Sequence, residues 1–188
     1  VLKTAPAVEP ISLTQAKSWL RVPHDDDDTD IGSLITSARN YAEGFTKRAL
    51  ITQTWTWYGD GFSDVINLGL VPLQSVTSIK YTATDGVLTI LAATDYQVDI
   101  YSEPGRIMPA YGCVWPDVRT STFNVVQVEF IAGYGAAASS VPSEIYNAMR
   151  KLLVYYYDHR DDVITGTIMD KVPLGVNSML MPYKASWV

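Results

Sequence analysis

Glycines follow the last predicted strand in a spacing that could bind a dinucleotide. Gly133, Gly135 and Ala138 form a G-x-G-x-x-A string. Such a loop holds a pyrophosphate when a helix opens directly on its glycines and a second parallel strand follows. Here Ser139–Pro142 separate the string from the next predicted helix, and a helix end stands where that strand should be. The pattern favours a strand-to-helix turn, with a nucleotide-dependent enzyme as an alternative.

A run of acids, Asp25–Asp28, could ligate calcium. An EF-hand loop that began at Asp26 would need glycine at its sixth position and glutamate at its twelfth. Those positions hold Ile31 and Ser37. The run is more typical of a helix start, where the helix dipole favours negative charge. We predict no metal site.

His159 and Cys113 are the other side chains that could react. His159 stands beside Asp158 after an apolar helical stripe, which is typical of a solvated helix end. Cys113 lies in no recognisable nucleophile motif, and its aromatic neighbours indicate a packed or half-buried thiol. We predict no catalytic residue and no cofactor, and hence no enzyme.

Aromatic residues are numerous, with five tryptophans and twelve tyrosines. Trp55, Trp57 or Trp115 could bind sugars, so a glycan-binding β-rich module is an alternative function. Tyr155, Tyr156 and Tyr157 occupy three faces of one predicted helix, so at least one ring must leave the core. Amphipathic rings at surfaces are typical of protein interfaces, and we predict that this triple lies at a subunit interface.

Composition limits the class of protein. The chain has 188 residues, of which 47% are hydrophobic, and its net charge is −6. It has no apolar run long enough to cross a bilayer, and we expect no secretory signal at its start. Residues 51–140 hold three basic and eight acidic residues, which argues against tight binding of nucleic acid or an anionic membrane.

The patterns predict helices, then strands, then a helix. Ser12 and Gln15 have the spacing of a capping box before a helix from Leu13 to Arg21. An apolar stripe from Ile31 to Phe45 predicts a second helix, with Arg39, Glu43 and Lys47 on other faces. A third is expected to begin in the turn that contains Pro142.

Between them, period-two alternation and turn residues predict six or seven short strands at hairpin spacing. The fold class is therefore α+β: a helical frame (1–50 and 141–165), an inserted antiparallel sheet or small barrel (51–140) and a C-terminal tail (166–188), all in one domain. The predicted strands are Thr52–Tyr58, Val65–Leu68, Val76–Thr82, Val87–Leu91, Tyr96–Tyr101, Arg106–Met108 and Val125–Ile131.

The tail carries an apolar stripe at helical spacing, formed by Val176, Met179, Leu180 and Tyr183. A helix of about ten residues is marginal alone in water. The segment must therefore fold back onto its own domain or dock on another chain, and the sequence leaves both open.

Five stretches resemble, in order, the tailed-phage head–tail connector (neck adaptor) family. They are EPISLTQAKSWLRV, DIGSLITSARNYAEGFTKRALITQTW, PLQSVTSIKYTATDG, VEFIAGYG and VPLGVNSMLMPYK. The resemblance implies a structural virion protein at the neck, assembled in the host cytoplasm. It also implies a homo-oligomeric ring of twelve copies that joins the portal to the stopper or head-completion protein and extends the DNA channel.

The family's C-terminal segment contacts the portal. Carried over to this sequence, the resemblance gives Leu174, Val176, Met179, Leu180 and Tyr183 as portal-docking residues. A channel that lets double-stranded DNA pass should touch it only passively, and the clustered Asp25, Asp26, Asp27 and Asp28 are candidates for an acidic lumen. No membrane partner is expected.

Overall fold

A computed structural model describes residues 1–159 and 174–185. They form two compact units. One is built of strands and contains residues 1–7 and 52–134, and the other is helical and contains residues 8–51 with the described residues from 135 onward. The fold class is α+β, as predicted. Residues 1–7, which the sequence assigned to the helical frame, join the strands instead.

The described residues of the helical unit form four α-helices: α1 (Leu13–Leu20), α2 (Asp28–Thr46), α3 (Ser143–Asp158) and α4 (Leu174–Leu180). The predicted capping box is present, because Ser12 Oγ accepts from the Gln15 N–H and Gln15 Oε1 accepts from the Ser12 N–H. Pro142 is the residue before α3 rather than part of its first turn. None of the described helices is both long enough and apolar enough to cross a bilayer.

Part of α2 outside the predicted apolar stripe is also buried. The guanidinium of Arg39 is within 2.8 Å of a Glu9 carboxylate oxygen and 2.9 Å of a Glu43 carboxylate oxygen. Glu43 also accepts a hydrogen bond from the Leu50 N–H (2.9 Å). A buried charge needs such partners, so Arg39 ties the segment before α1 to the end of α2.

Two antiparallel sheets form the other unit, in place of the single sheet or small barrel expected. The larger has the order β1-β2-β8-β4-β5 and the smaller β3-β7-β6. The sequence did not predict β1, but the other strands match within a few residues. Their bounds are β1 Leu2–Thr4, β2 Gln53–Gly59, β3 Ile66–Leu68, β4 Leu73–Thr82, β5 Leu88–Ile90, β6 Tyr96–Asp99, β7 Gly105–Pro109 and β8 Val126–Ala132.

One face of the larger sheet is buried and the other is polar. Along β8, Val126, Val128, Phe130 and Ala132 are buried and alternate with partly exposed residues, as expected for a half-buried strand. The smaller sheet approaches this core so closely that a Cβ on Gly105 would clash with the side chain of Leu73. Glycine is therefore required at the start of β7.

The C-terminal helix α4 folds back onto the helical unit and packs against α3 and α2. Val176 and Leu180 are completely buried there. Hydrogen bonds surround this contact: Tyr41 Oη to Asn177 Oδ1 (2.9 Å), Arg48 Nε to the Tyr183 carbonyl oxygen (2.6 Å), Tyr183 Oη to Glu144 Oε2 (2.7 Å) and the Ala185 N–H to the Thr46 carbonyl oxygen (3.0 Å).

Replacing Leu180 with alanine should destabilise the helical unit by about 2–5 kcal/mol, because it removes a fully buried side chain and leaves a cavity. The measurement is chemical denaturation followed by helical circular dichroism. Met181→Ala is the matched control, since Met181 is 59% exposed and should change stability by no more than about 0.5 kcal/mol. Equal effects of the two substitutions would contradict the packing of α4.

The hydrogen bond from Tyr183 lowers the pKa of Glu144 from its ordinary 4.5. A lowered carboxyl pKa stabilises the folded state above 4.5, and that contribution disappears as the pH falls through the lowered value. Tyr183→Phe should therefore raise the pKa of Glu144 towards 4.5, as measured by NMR titration of its carboxyl carbon. The pKa of Asp99, which is lowered by Ser102 and Arg106, should stay unchanged. An unchanged Glu144 titration would contradict the contact.

Candidate assembly surfaces

The packing of α4 corrects the interpretation of the tail as a freely available docking segment. Val176 and Leu180, two of the five predicted portal-docking residues, expose no side-chain surface. They cannot touch a partner while α4 stays in place. Met179 and Tyr183 are half-buried, and the side chain of Leu174, where α4 begins, is not among those described.

The outer side of the tail offers a different surface. Met181 is exposed in the short 3₁₀ turn Met181–Tyr183 that follows α4. It is two residues away from each of the half-buried Met179 and Tyr183, and we call these three residues the outer tail surface. Met181 was not among the predicted docking residues because it lies outside the apolar helical stripe of the tail.

The acidic run does not form an open negative patch. Lys17 forms ion pairs with Asp25 and with Asp28, the latter at 2.6 Å. The hydrogen bond from Lys17 lowers the pKa of Asp25. Asp27 accepts a hydrogen bond from Tyr157 Oη (2.6 Å). Asp26 remains the most exposed of the four and has His24 at 3.6 Å.

The three adjacent tyrosines lie at the end of α3 and are all partly exposed. The ring of Tyr155 stacks on His159 with 4.6 Å between ring centroids. Burial raises the pKa of Tyr156, and Tyr157 is held by Asp27. The triple therefore combines intramolecular contacts with exposed ring surface, and its place at a subunit interface stays a prediction.

The structure also locates the residues that were considered for nucleotide binding, sugar binding, thiol chemistry and metal binding. A 3₁₀ turn, Ala138–Ser140, separates Gly133 from α3, so no helix opens on the glycines. Trp115 stacks on Phe62 at 4.6 Å and donates to the Ser63 carbonyl oxygen (2.8 Å). Cys113 is exposed, contrary to the packed or half-buried thiol expected. Within residues 1–159 and 174–185, no group of three or more His, Cys, Asp or Glu could hold a metal ion.

Part of the chain matches a known protein family. Residues 10–87 match the family model described as phage gp6-like head-tail connector protein. No curated protein matches the sequence.

Three solved structures are similar over the whole chain, covering 100% of this chain and 97% of the other. A protein in the neck of an empty GTA particle, computed with C6 symmetry, is 25% identical with a TM-score of 0.79. One in the neck of a native GTA particle, computed with C12 symmetry, is 26% identical with a TM-score of 0.74. One in the virion of the native gene transfer agent (GTA) particle is 23% identical with a TM-score of 0.77.

The family match over residues 10–87 and the first two of these similarities point to a phage head–tail connector protein.

Proposed function

We propose that this connector is an adaptor ring in the neck of a phage particle, lying between the portal and the stopper or head-completion protein. The observation that carries the proposal is the fold shared with GTA neck proteins over the whole chain at 25–26% identity. The role is structural: the chain positions its neighbours and extends the DNA channel, and it performs no chemistry.

A ring of identical subunits needs two different faces on each subunit, because its contacts run head to tail. The symmetry used for the two neck structures supports a ring for this chain as well. Twelve copies is the number that the family implies. Tyr155, Tyr156 and Tyr157 are proposed to contribute to one of the two faces.

The negative net charge of the chain suits a channel through which DNA must slide without being held. At −6 per chain, the ring does not offer the cationic track whose phosphate contacts would slow sliding DNA. Of the four acidic lumen candidates, Asp25 and Asp26 have the most exposed carboxylates. Asp27 and Asp28 contribute less, since Tyr157 and Lys17 hold them.

Portal docking is proposed to use the outer tail surface, Met179, Met181 and Tyr183. The buried side chains Val176 and Leu180 hold this surface in position rather than contact the portal. Exposed methionines suit such a contact, because their flexible side chains adapt to an irregular partner.

Met181→Asp should therefore abolish binding to the portal and leave thermal stability unchanged, since it places a charge in an apolar contact and not in the core. Binding is measured by co-sedimentation of the purified chain with portal rings. Met108→Asp is the matched control, because Met108 is an exposed methionine on β7 and should retain portal binding. Normal binding by Met181→Asp would contradict the docking proposal.

A further inference from the structure

The edge strand β5 exposes apolar side chains, and it has the short length but not the lysine or proline that often protects an edge. Leu88 and Ile90 are 53% and 65% exposed, and the stretch from Val87 to Thr94 contains no charge and no proline. Natural proteins protect edge strands with lysine, proline, bulges or a covering segment. Within residues 1–159 and 174–185, β5 pairs with β4 alone.

The backbone of β5 is also available for pairing. Hydrogen bonds join the Ala83 N–H to the Val87 carbonyl oxygen (2.9 Å) and the Leu91 N–H to the Ile79 carbonyl oxygen (2.8 Å). In an antiparallel pair, hydrogen-bonded positions alternate with positions whose groups point away. The N–H and C=O groups of Leu88 and Ile90 therefore point away from β4, to the open edge.

Leu88 and Ile90 contrast with most of the sheet face on which they lie. Leu88 and Ile90 lie opposite Thr82 and Lys80 of β4, on the face of the sheet turned away from the core. The rest of that face is lined mainly by polar side chains, which are Lys3, Thr56, Tyr58, Ser78, Lys80, Gln127 and Glu129. A solvated face with apolar residues at one edge strand is what a strand-pairing interface requires.

At the opposite edge of the same sheet, β1 pairs with β2 alone within the described residues. Val1 and Thr56 exchange two backbone hydrogen bonds (2.6 and 2.8 Å), so the N–H and C=O groups of Leu2 point away from β2. Strands β1 and β5 have three residues each. Lys3 on β1 is ion-paired with Glu129 of β8 (2.5 Å), so the match between the two edges rests on their backbone groups and not on charge.

We propose that β5 of one copy pairs with β1 of the next copy, so that the larger sheets join edge to edge. The proposal rests on the ring proposed above and names the contact that closes it. Two different edges of one sheet supply the two unlike faces that a head-to-tail ring needs.

The test is the double substitution Leu88→Lys and Ile90→Lys, which places two charges at the open edge. We expect wild-type chain mixed with portal rings to form closed adaptor rings by negative-stain electron microscopy, and the double variant to form none. Its melting temperature should be unchanged. Val114→Lys is the matched control, because Val114 is equally apolar and 84% exposed but lies outside the strands, and it should form rings.

A cross-linking arm identifies the partner strand. In a Cys113→Ser background, chains carrying both Lys3→Cys and Ile90→Cys, two positions on the same face of the sheet, should give a ladder of covalent oligomers with a short bismaleimide at high protein concentration. Either cysteine alone should give no such ladder. Dimers from Ile90→Cys alone would overturn β1 as the partner.

The outcomes separate this inference from the proposed function. Wild-type-like rings from the Leu88→Lys, Ile90→Lys variant overturn the edge contact and leave the adaptor role intact. No rings from the wild-type chain with portal overturn the ring itself. If there is then no cross-linked ladder either, the edge pairing is overturned as well. If the ladder is present, the strands pair although the ring does not close.

Discussion

The helical unit depends on the burial of a helix that cannot exist by itself. Helix α4 has seven residues, far fewer than a helix needs to persist in water. It is held because Val176 and Leu180 fill space beside α3 and α2, while side chains of Tyr41, Arg48 and Tyr183 surround them with hydrogen bonds. This packing fixes which side of the tail faces outward, and so which residues a neighbouring protein can meet.

The β unit also contains a segment that needs a partner, which is the edge strand β5. Core residues cover the buried face of the larger sheet. Among the described residues, β5 pairs with β4 alone, so the backbone N–H and C=O groups of Leu88 and Ile90 point to the open edge. In an isolated chain such an edge is a liability. In the proposed ring, it is an incomplete sheet that a second copy can complete.

Much of this could be predicted from local patterns. The capping box at Ser12 and Gln15, the stripe of α2 and the strands from β2 to β8 depend on neighbours in sequence, and they were found to within a few residues. The burial of Arg39 could not be predicted because its partner Glu9 lies 30 residues away, and no periodicity reports such a pairing. The tail was left open for the same reason: its stripe shows that Leu180 must be buried but not against what. Strand β1 was missed because its partner β2 lies far away in the sequence (Leu2 is opposite Trp55) and no hairpin turn indicates the pairing.

The most direct test of the account is a cryo-electron microscopy map of this chain assembled with its portal. The account predicts a closed ring in which α4 keeps Val176 and Leu180 inside its own subunit and presents Met181 to the portal. A chain bound as isolated copies, or a tail withdrawn from α3 with Leu180 inserted into the portal, would contradict it.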